Sequence, residues 1–282
     1  NAVHHAGQDG QLLKLSSDGK TILYGGYIGG SGTDGDGPSV RLDSAGNAYV
    51  ATITDSPDAF TTPGAYDTTY NGGNDILLMK INPAGTQVLY STYFGGSGND
   101  YVETHHLWVD PAGHAYLASG SSSTNITFSG GYQPTNKGSS DGYIAKFSPD
   151  GKQLVAGTFI GGSGGDSIEG IAMDPQGNVI VGSLTSSTNF PTTPDALYKT
   201  LAGTQADLWI AKFSPDLKTL LFSTYINGNG VDGGRSVATD SAGNLYQIGR
   251  MQSTNLPVTP TALQKTGFAG DFDGYFYKIK LK

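Results

Sequence analysis

Residues 168–226 read IEGIAMDPQGNVIVGSLTSSTNFPTTPDALYKTLAGTQADLWIAKFSPDLKTLLFSTYI. A short apolar run ends at Asp174, Pro-Gln-Gly turns the chain, and Asn178 opens a second run, VIVGS. A polar loop of about twenty residues follows, and then LWIAKF and LLFSTY, separated by a turn at Ser214 to Leu217. Apolar and polar residues alternate along each run, and Asp, Pro, Gly and Asn fill the turns with their preferred backbone angles. The stretch therefore predicts two hairpins joined by a long loop. Four antiparallel strands in this order describe one blade of a β-propeller.

The rest of the chain repeats the unit. Lys14, Lys80, Lys146, Lys212 and Lys278 are spaced by 66 residues, and so are Asp9, Asp75, Asp141, Asp207 and Asp273. An aromatic keeps the same step at Tyr27, Tyr93, Phe159 and Tyr225. A repeated supersecondary unit of this kind marks a solenoid, a propeller or an array. With strands a to d counted outward from the axis, the chain starts with c and d, runs through three full blades, and ends with a, b and c. The expected fold is all-β: a propeller of four blades of about 66 residues, its ring closed by the N- and C-terminal strands. The alternative is a fragment of a larger propeller. The expected organisation is one domain over residues 1–282, with a partial blade at 9–30 and repeats at about 31–96, 97–162, 163–228 and 229–282.

The hairpins RLDSAGNAYVATI, WVDPAGHAYLAS and VATDSAGNLYQIG, the loop NFPTTPDALY, and the segments YSTYFGGSGND and GTFIGGSGGD together resemble the SBBP class of bacterial β-propeller repeats. Departures are His114 where Asn is usual, Leu217 where Gly is usual, and INGNGVDGG in the fourth repeat. The resemblance implies a propeller fold in a large secreted protein and no particular activity.

Composition agrees with short strands and tight turns. Glycine at 43 of 282 is about twice the usual share, and charged residues at 14% fall well below the usual quarter. The net charge of −8, with Lys and Arg scattered singly, disfavours nucleic acid or an anionic membrane, both of which need clustered positive charge. No apolar run approaches the length that spans a bilayer, so membrane insertion is not expected. Absence of cysteine removes any disulfide framework or thiolate metal site. Few lysines with many Gly, Ser, Thr, Asn and Tyr point to an extracellular or cell-surface location, and a first residue Asn1 to a processed or excised chain.

Strand alternation puts the long b–c loops and the d–a connections on one face of the blades, and the Asp-Gly turns at Asp43, Asp110, Asp174 and Asp240 on the other. Binding on repeat scaffolds follows the longer loops. Tyr66, Tyr132 and Tyr198 recur there at 66, with Gln264 in the fourth repeat, and with Trp108 they are candidates for holding a glycan or an extracellular protein. The alternative use of each tyrosine is to plug its own loop to the blade edge. Asp34, Asp100, Asp166 and Asp232 recur in the d–a connections and are candidates for sharing a calcium ion at the mouth of the channel, or for capping their own turns. The spare terminal strand offers an edge for self-association.

Catalytic candidates are few. His105, His106 and Trp108 break the symmetry of the inner strands, as does Arg235 where Glu103 and Glu169 stand in the neighbours. A histidine, an acid and an arginine could abstract a proton beside a uronate, which makes His105 and Arg235 the residues of a lyase alternative. No Gly-x-Ser-x-Gly elbow, HExxH pair or phosphate loop is present. The main expectation is a non-catalytic binding or structural module.

Overall fold

The computed structural model describes residues 7–202, 206–266 and 272–280, which form seventeen strands and no helix. A two-stranded sheet comes first, β1 (Gly10–Leu15) with β2 (Ile22–Ile28). Next is a sheet ordered β3–β4–β5–β6: β3 (Asp34–Leu42), β4 (Ala48–Thr54), β5 (Asp75–Ile81), β6 (Val88–Phe94). The third contains β7 (Leu107–Val109), β8 (Ala115–Ser121), β9 (Asp141–Phe147) and β10 (Leu154–Ile160). The fourth contains β11 (Gly170–Met173), β12 (Val179–Thr185), β13 (Asp207–Phe213) and β14 (Leu220–Ile226), again in chain order. A three-stranded sheet of β15 (Asp232–Thr239), β16 (Leu245–Met251) and β17 (Asp273–Ile279) ends the chain. Two hairpins joined by a long loop recur in each full sheet, as the sequence predicts.

The expected clasp is absent from the described pairing. β2 is hydrogen-bonded to β1, and β17 to β16, without a ladder joining the two ends of the chain.

The chain divides into two compact units. The first holds residues 1–117, 121–126 and 145–155, and the second holds 118–120, 127–144 and 156–282. The first unit packs Ile28, Val50, Leu77, Met79, Ile81 and Tyr93 into one cluster. The second packs Ile180, Leu208, Ile210, Phe222, Ile226 and Leu245 into another. Middle strands such as β5 and β13 are buried along almost their whole length, while β1 and β17 alternate buried and exposed.

The a–b hairpins share one construction. Asp43 Oδ1 accepts from the N–H of Ala45 and Asn47, and Oδ2 accepts from the Asn47 side chain at 2.7 Å. Asp174 and Asp240 repeat these bonds with Asn178 and Asn244. At His114 the imidazole takes over the amide's place, Nδ1 lying 2.9 Å from Asp110 Oδ2. The anchor lysines complete the arrangement: Lys80, Lys212 and Lys278 lie 3.6, 2.7 and 3.3 Å from Asp43, Asp174 and Asp240. Lys80, Lys146 and Lys278 also stand over the rings of Tyr49, Tyr116 and Tyr246, 4.8 to 5.1 Å from the centroids. Lys80 and Lys278 thus have both an aspartate and an aromatic face beside the amine.

Candidate functional site

The b–c loops do not stand free of their sheets. In the first unit the loop after β4 is stitched to the outer strand β6. Ser91 Oγ donates to Phe60 O at 2.6 Å, Thr62 N to Ser91 O at 3.0 Å, and Asp67 N to Thr92 Oγ1 at 2.9 Å. Tyr93 OH reaches back to Ser56 O at 2.7 Å. The second unit repeats this: Ser223 Oγ donates to Pro191 O, and Tyr225 OH to Ser187 O. A loop laid down the side of a sheet carries its tip away from the end at which it started.

That path relocates the candidate tyrosines. Tyr66 N donates to Gly151 O in the turn between β9 and β10, and its ring packs edge-on to Phe147 at 5.6 Å. Tyr132 does the same with Leu217 O and Phe213, at 5.9 Å between ring centroids. Both tyrosines lie at the short-turn end of the strands, contrary to the placement expected from strand alternation. They staple the loop of one repeat to the c–d turn of the next, with about two fifths of each side exposed. Tyr198 is not their equivalent despite the constant spacing. Its N–H donates to Thr224 Oγ1, as Asp67 and Gln133 donate to Thr92 and Thr158, so Leu197 occupies the position of Tyr66. One residue fewer between the stitched threonines causes the slip: Thr62, Phe128 and Thr193, which open the same turn, are 66 and then 65 apart.

Asp34, Asp100, Asp166 and Asp232 are buried and turned into their own connections. Oδ2 of Asp34, Asp100 and Asp166 accepts from the N–H of Gly30, Gly96 and Gly162 at 2.7 to 2.8 Å. Ser56, Ser123, Ser187 and Ser253 donate their hydroxyls to the same set. Among the described residues no three of these carboxylates come within 4.8 Å of one another, the spacing one shared ion requires. The geometry is that of a turn cap.

Three of the capping aspartates meet the aspartate at the head of a c strand instead. A methyl group on Gly95 would overlap Asp75 Oδ1 and stand 3.0 Å from Asp100 Oδ2, which puts the two carboxyl oxygens within about 5 Å of each other. Gly161 lies in the same way against Asp141 and Asp166, and Gly29 against Asp9 and Asp34. Glycine is required at these positions because the carboxyl pair leaves no room for a Cβ. Burial pushes the Asp75 carboxyl up to about 7, the Asn71 N–H opposing and Asp100 adding to the rise. Burial likewise raises Asp141 to about 6, with Asp166 contributing, and Asp207 to about 6, with Asp232 contributing. The 66-residue spacing flags both aspartate sets, but only their meeting across the Gly-Gly segment makes them a pair.

Each catalytic candidate has a partner inside its own unit. His105 is exposed, with Nδ1 3.3 Å from Thr104 Oγ1. Next to it, His106 is buried and accepts the Glu103 N–H on Nδ1 at 2.7 Å. Trp108 is half-buried on β7 opposite Tyr116 of β8. In the second unit Arg235 forms an ion pair with Glu169 at 3.1 Å.

An apolar groove of about 190 Å³ lies in the first unit, lined by Tyr27, Ile28, Phe60, Leu77, Met79 and Val88. Phe60 and Tyr101 in the first unit, and Leu197, Val258 and Leu263 in the second, are large apolar side chains exposed by two fifths or more.

No family model matches this chain, and no curated protein is similar to it. Among solved structures, a luciferin-regenerating enzyme aligns at 13% identity over 97% of this chain and 72% of its own, with a TM-score of 0.41. A protein of unknown function from Dyadobacter fermentans aligns at 12% identity over 86% of this chain and 64% of its own, also at 0.41. An ACO/RPE65 chimera aligns at 14% over 88% of this chain and 51% of its own, at 0.41. This chain thus spans less than two thirds of the last two.

Proposed function

We propose that the chain is a four-bladed propeller, of the SBBP repeat type, acting outside the cell or at its surface as a non-catalytic binding or structural module for a protein partner. One observation carries the functional reading. The polar groups that recur with the repeat are spent inside their own unit, on hairpins, loop stitching and turn caps, and the repeats differ at exposed apolar loop positions: Phe60 stands where the third repeat has Pro191, and Leu197 and Leu263 stand where the first two have Tyr66 and Tyr132. Exposed apolar side chains that vary while the scaffold repeats are suited to a partner's apolar groups, and glycans favour stacked aromatics with polar neighbours. Tyr66 and Tyr132, the glycan candidates, are half-committed to stapling.

Closure of the ring rests on complementary ends. β1 and β2 supply strands c and d and leave Leu13, Leu15, Ile22 and Leu23 about half exposed, while β15 to β17 supply a, b and c and leave Ile248 and Phe276 exposed. Seating β2 beside β17 completes the fourth blade and covers these faces.

Selection from a displayed peptide library, run beside a glycan array and a uronate-polymer cleavage assay, tests the function. The expected result is enrichment of apolar peptides whose binding Phe60→Ser and Leu197→Ser abolish at unchanged melting temperature. Cleavage of a uronate polymer that stops in His105→Ala would replace the reading with the lyase alternative.

A further inference from the structure

The carboxyl pairs pose a problem of charge. Asp75, Asp100, Asp141, Asp166, Asp207 and Asp232 are each 2% exposed or less. Two ionised carboxylates buried within about 5 Å of each other repel strongly, and the usual remedies are a proton, a cation or a set of donors. The donors are unequally shared. Asp100 Oδ2 receives both Gly96 N–H and Ser123 Oγ–H, each at 2.8 Å, and Asp166 Oδ2 receives Gly162 N–H and Ser187 Oγ–H. The c-strand member is served on one oxygen: Asp75 Oδ2 takes the Asn71 N–H at 2.8 Å, and Asp141 Oδ2 takes the Lys137 N–H and the Gln133 amide. Its other oxygen, Oδ1 in Asp75 and Asp141 and Oδ2 in Asp207, is buried and accepts no hydrogen bond; Asp100 Oδ1 is in the same state, whereas Asp166 Oδ1 takes the Thr185 hydroxyl and Asp232 Oδ1 takes the N–H groups of Gln252 and Ser253. In Asp75 and Asp141 this unserved oxygen is the one packed on the glycine, facing the partner carboxylate.

We propose that each of the pairs Asp75–Asp100 and Asp141–Asp166 holds one proton in common, carried on the unserved oxygen of the c-strand aspartate and directed at its partner, and that Asp207, whose Oδ2 is buried without a donor, carries a proton of its own. One proton removes one of the two negative charges and turns an orphaned acceptor into a donor, while the partner, stabilised by the N–H and hydroxyl donors on its Oδ2, remains the anion. A hard cation would need roughly six to eight oxygens around it. Here the partner's Oδ2 is already filled by two donors, and a glycine Cα fills the space between.

Among the described residues, the other titratable groups that bear on these pairs are acids and phenols. Asp75 faces Asp67 of its own loop and the phenols of Tyr70 and Tyr93. Asp207 faces the phenol of Tyr225, and Asp232 those of Tyr275 and Tyr277.

The consequence is a fold that tightens on acidification. Because the folded chain binds these protons more firmly than the unfolded chain, stability is greatest near the ordinary carboxylate range. It falls as pH rises toward about 7 for Asp75 and about 6 for Asp141 and Asp207, and levels off above.

Infrared spectroscopy and thermal melting of the 282-residue chain test this. A protonated-carboxyl C=O stretch should be present in the native protein at about pH 5 and fade by about pH 9, well above the range of ordinary carboxylates. Melting temperature should drop by several degrees between about pH 5 and pH 8, and the triple variant Asp75→Asn, Asp141→Asn, Asp207→Asn should lose both the band and the slope. Absence of the band in the wild-type native state at pH 5 overturns the proposal. So does a calcium-dependent rise in wild-type melting temperature at pH 8 that the triple variant lacks, since the pairs would then be cation sites. Should the triple variant fail to fold, the wild-type band and the single variant Asp75→Asn decide.

Discussion

Leu217 shows how much a single position depends on its neighbour one repeat away. Its φ of +59° is a left-handed conformation that Gly85 and Gly151 adopt in the corresponding turns. In those turns a Cβ would run into the ring of Tyr24 or Tyr90, so glycine is required there for space as well as for φ. The position that follows Tyr24 and Tyr90 at the 66-residue step is Ala156, and with that ring gone a side chain fits at 217, where Leu217 is fully buried. The strain of about 1 kcal/mol or more is outweighed by burying a leucine, worth about 2 kcal/mol with its cavity term on top. Leu217→Gly should therefore destabilise the protein by about 2 kcal/mol in urea unfolding, while the pair Leu217→Gly with Ala156→Tyr should recover most of that loss. Ala156→Tyr alone should be worse than the pair. Equal stability of Leu217→Gly and the pair would show that the two positions do not exchange volume.

At the scale of the element, the b–c loop is an extra layer on the outer strand. Tyr93 and Tyr225 close it through a buried hydroxyl, and the third repeat position, Phe159, has no hydroxyl and packs on Phe128 at 5.0 Å between centroids. Tyr93→Phe leaves Ser56 C=O without its buried donor and should cost about 1 kcal/mol. Amide exchange should accelerate at Thr62 and Asp67, whose N–H groups are stitched to β6, more than in β4 or β5. Uniform acceleration across the sheet would instead mean that the loop and its sheet open as one.

For the whole molecule the proposed closure of the ring is tested at its ends. The register of β13 with β14 pairs Ile210 with Thr224, and in a closed ring the same register would set Phe276 of β17 opposite Gly26 of β2. The chain has no cysteine, so Gly26→Cys with Phe276→Cys makes a clean reporter. Closure predicts an intramolecular disulfide that forms in dilute monomer and raises the melting temperature. Disulfides that form only between chains would mean that the ends pair with a second copy, and none at all would remove the clasp. Truncation of residues 10–28 should then cost much of the stability of a closed ring and little of an open array.

The strands, their order within each sheet and the hairpin turns were legible in the sequence, because they depend on alternation, turn chemistry and a period that any one repeat displays. Asp43, Asp174 and Asp240 with their Asn partners are contacts across four residues, and a motif contains everything such a contact needs. Contacts between repeats were not legible. The same Tyr-at-66 spacing covers Tyr66, which staples to the next c–d turn, and Tyr198, which a one-residue slip places on its own strand. Asp75 and Asp100 stand 25 residues apart with nothing local to join them, and are a pair only because β5 pairs with β6 and brings the Gly-Gly segment beside Asp75. Sequence periodicity determined the unit, since it is written in short-range geometry. Tertiary structure decided which of the repeated side chains are buried, paired or left to face a partner, because burial and charge depend on what another part of the chain brings within a few ångströms.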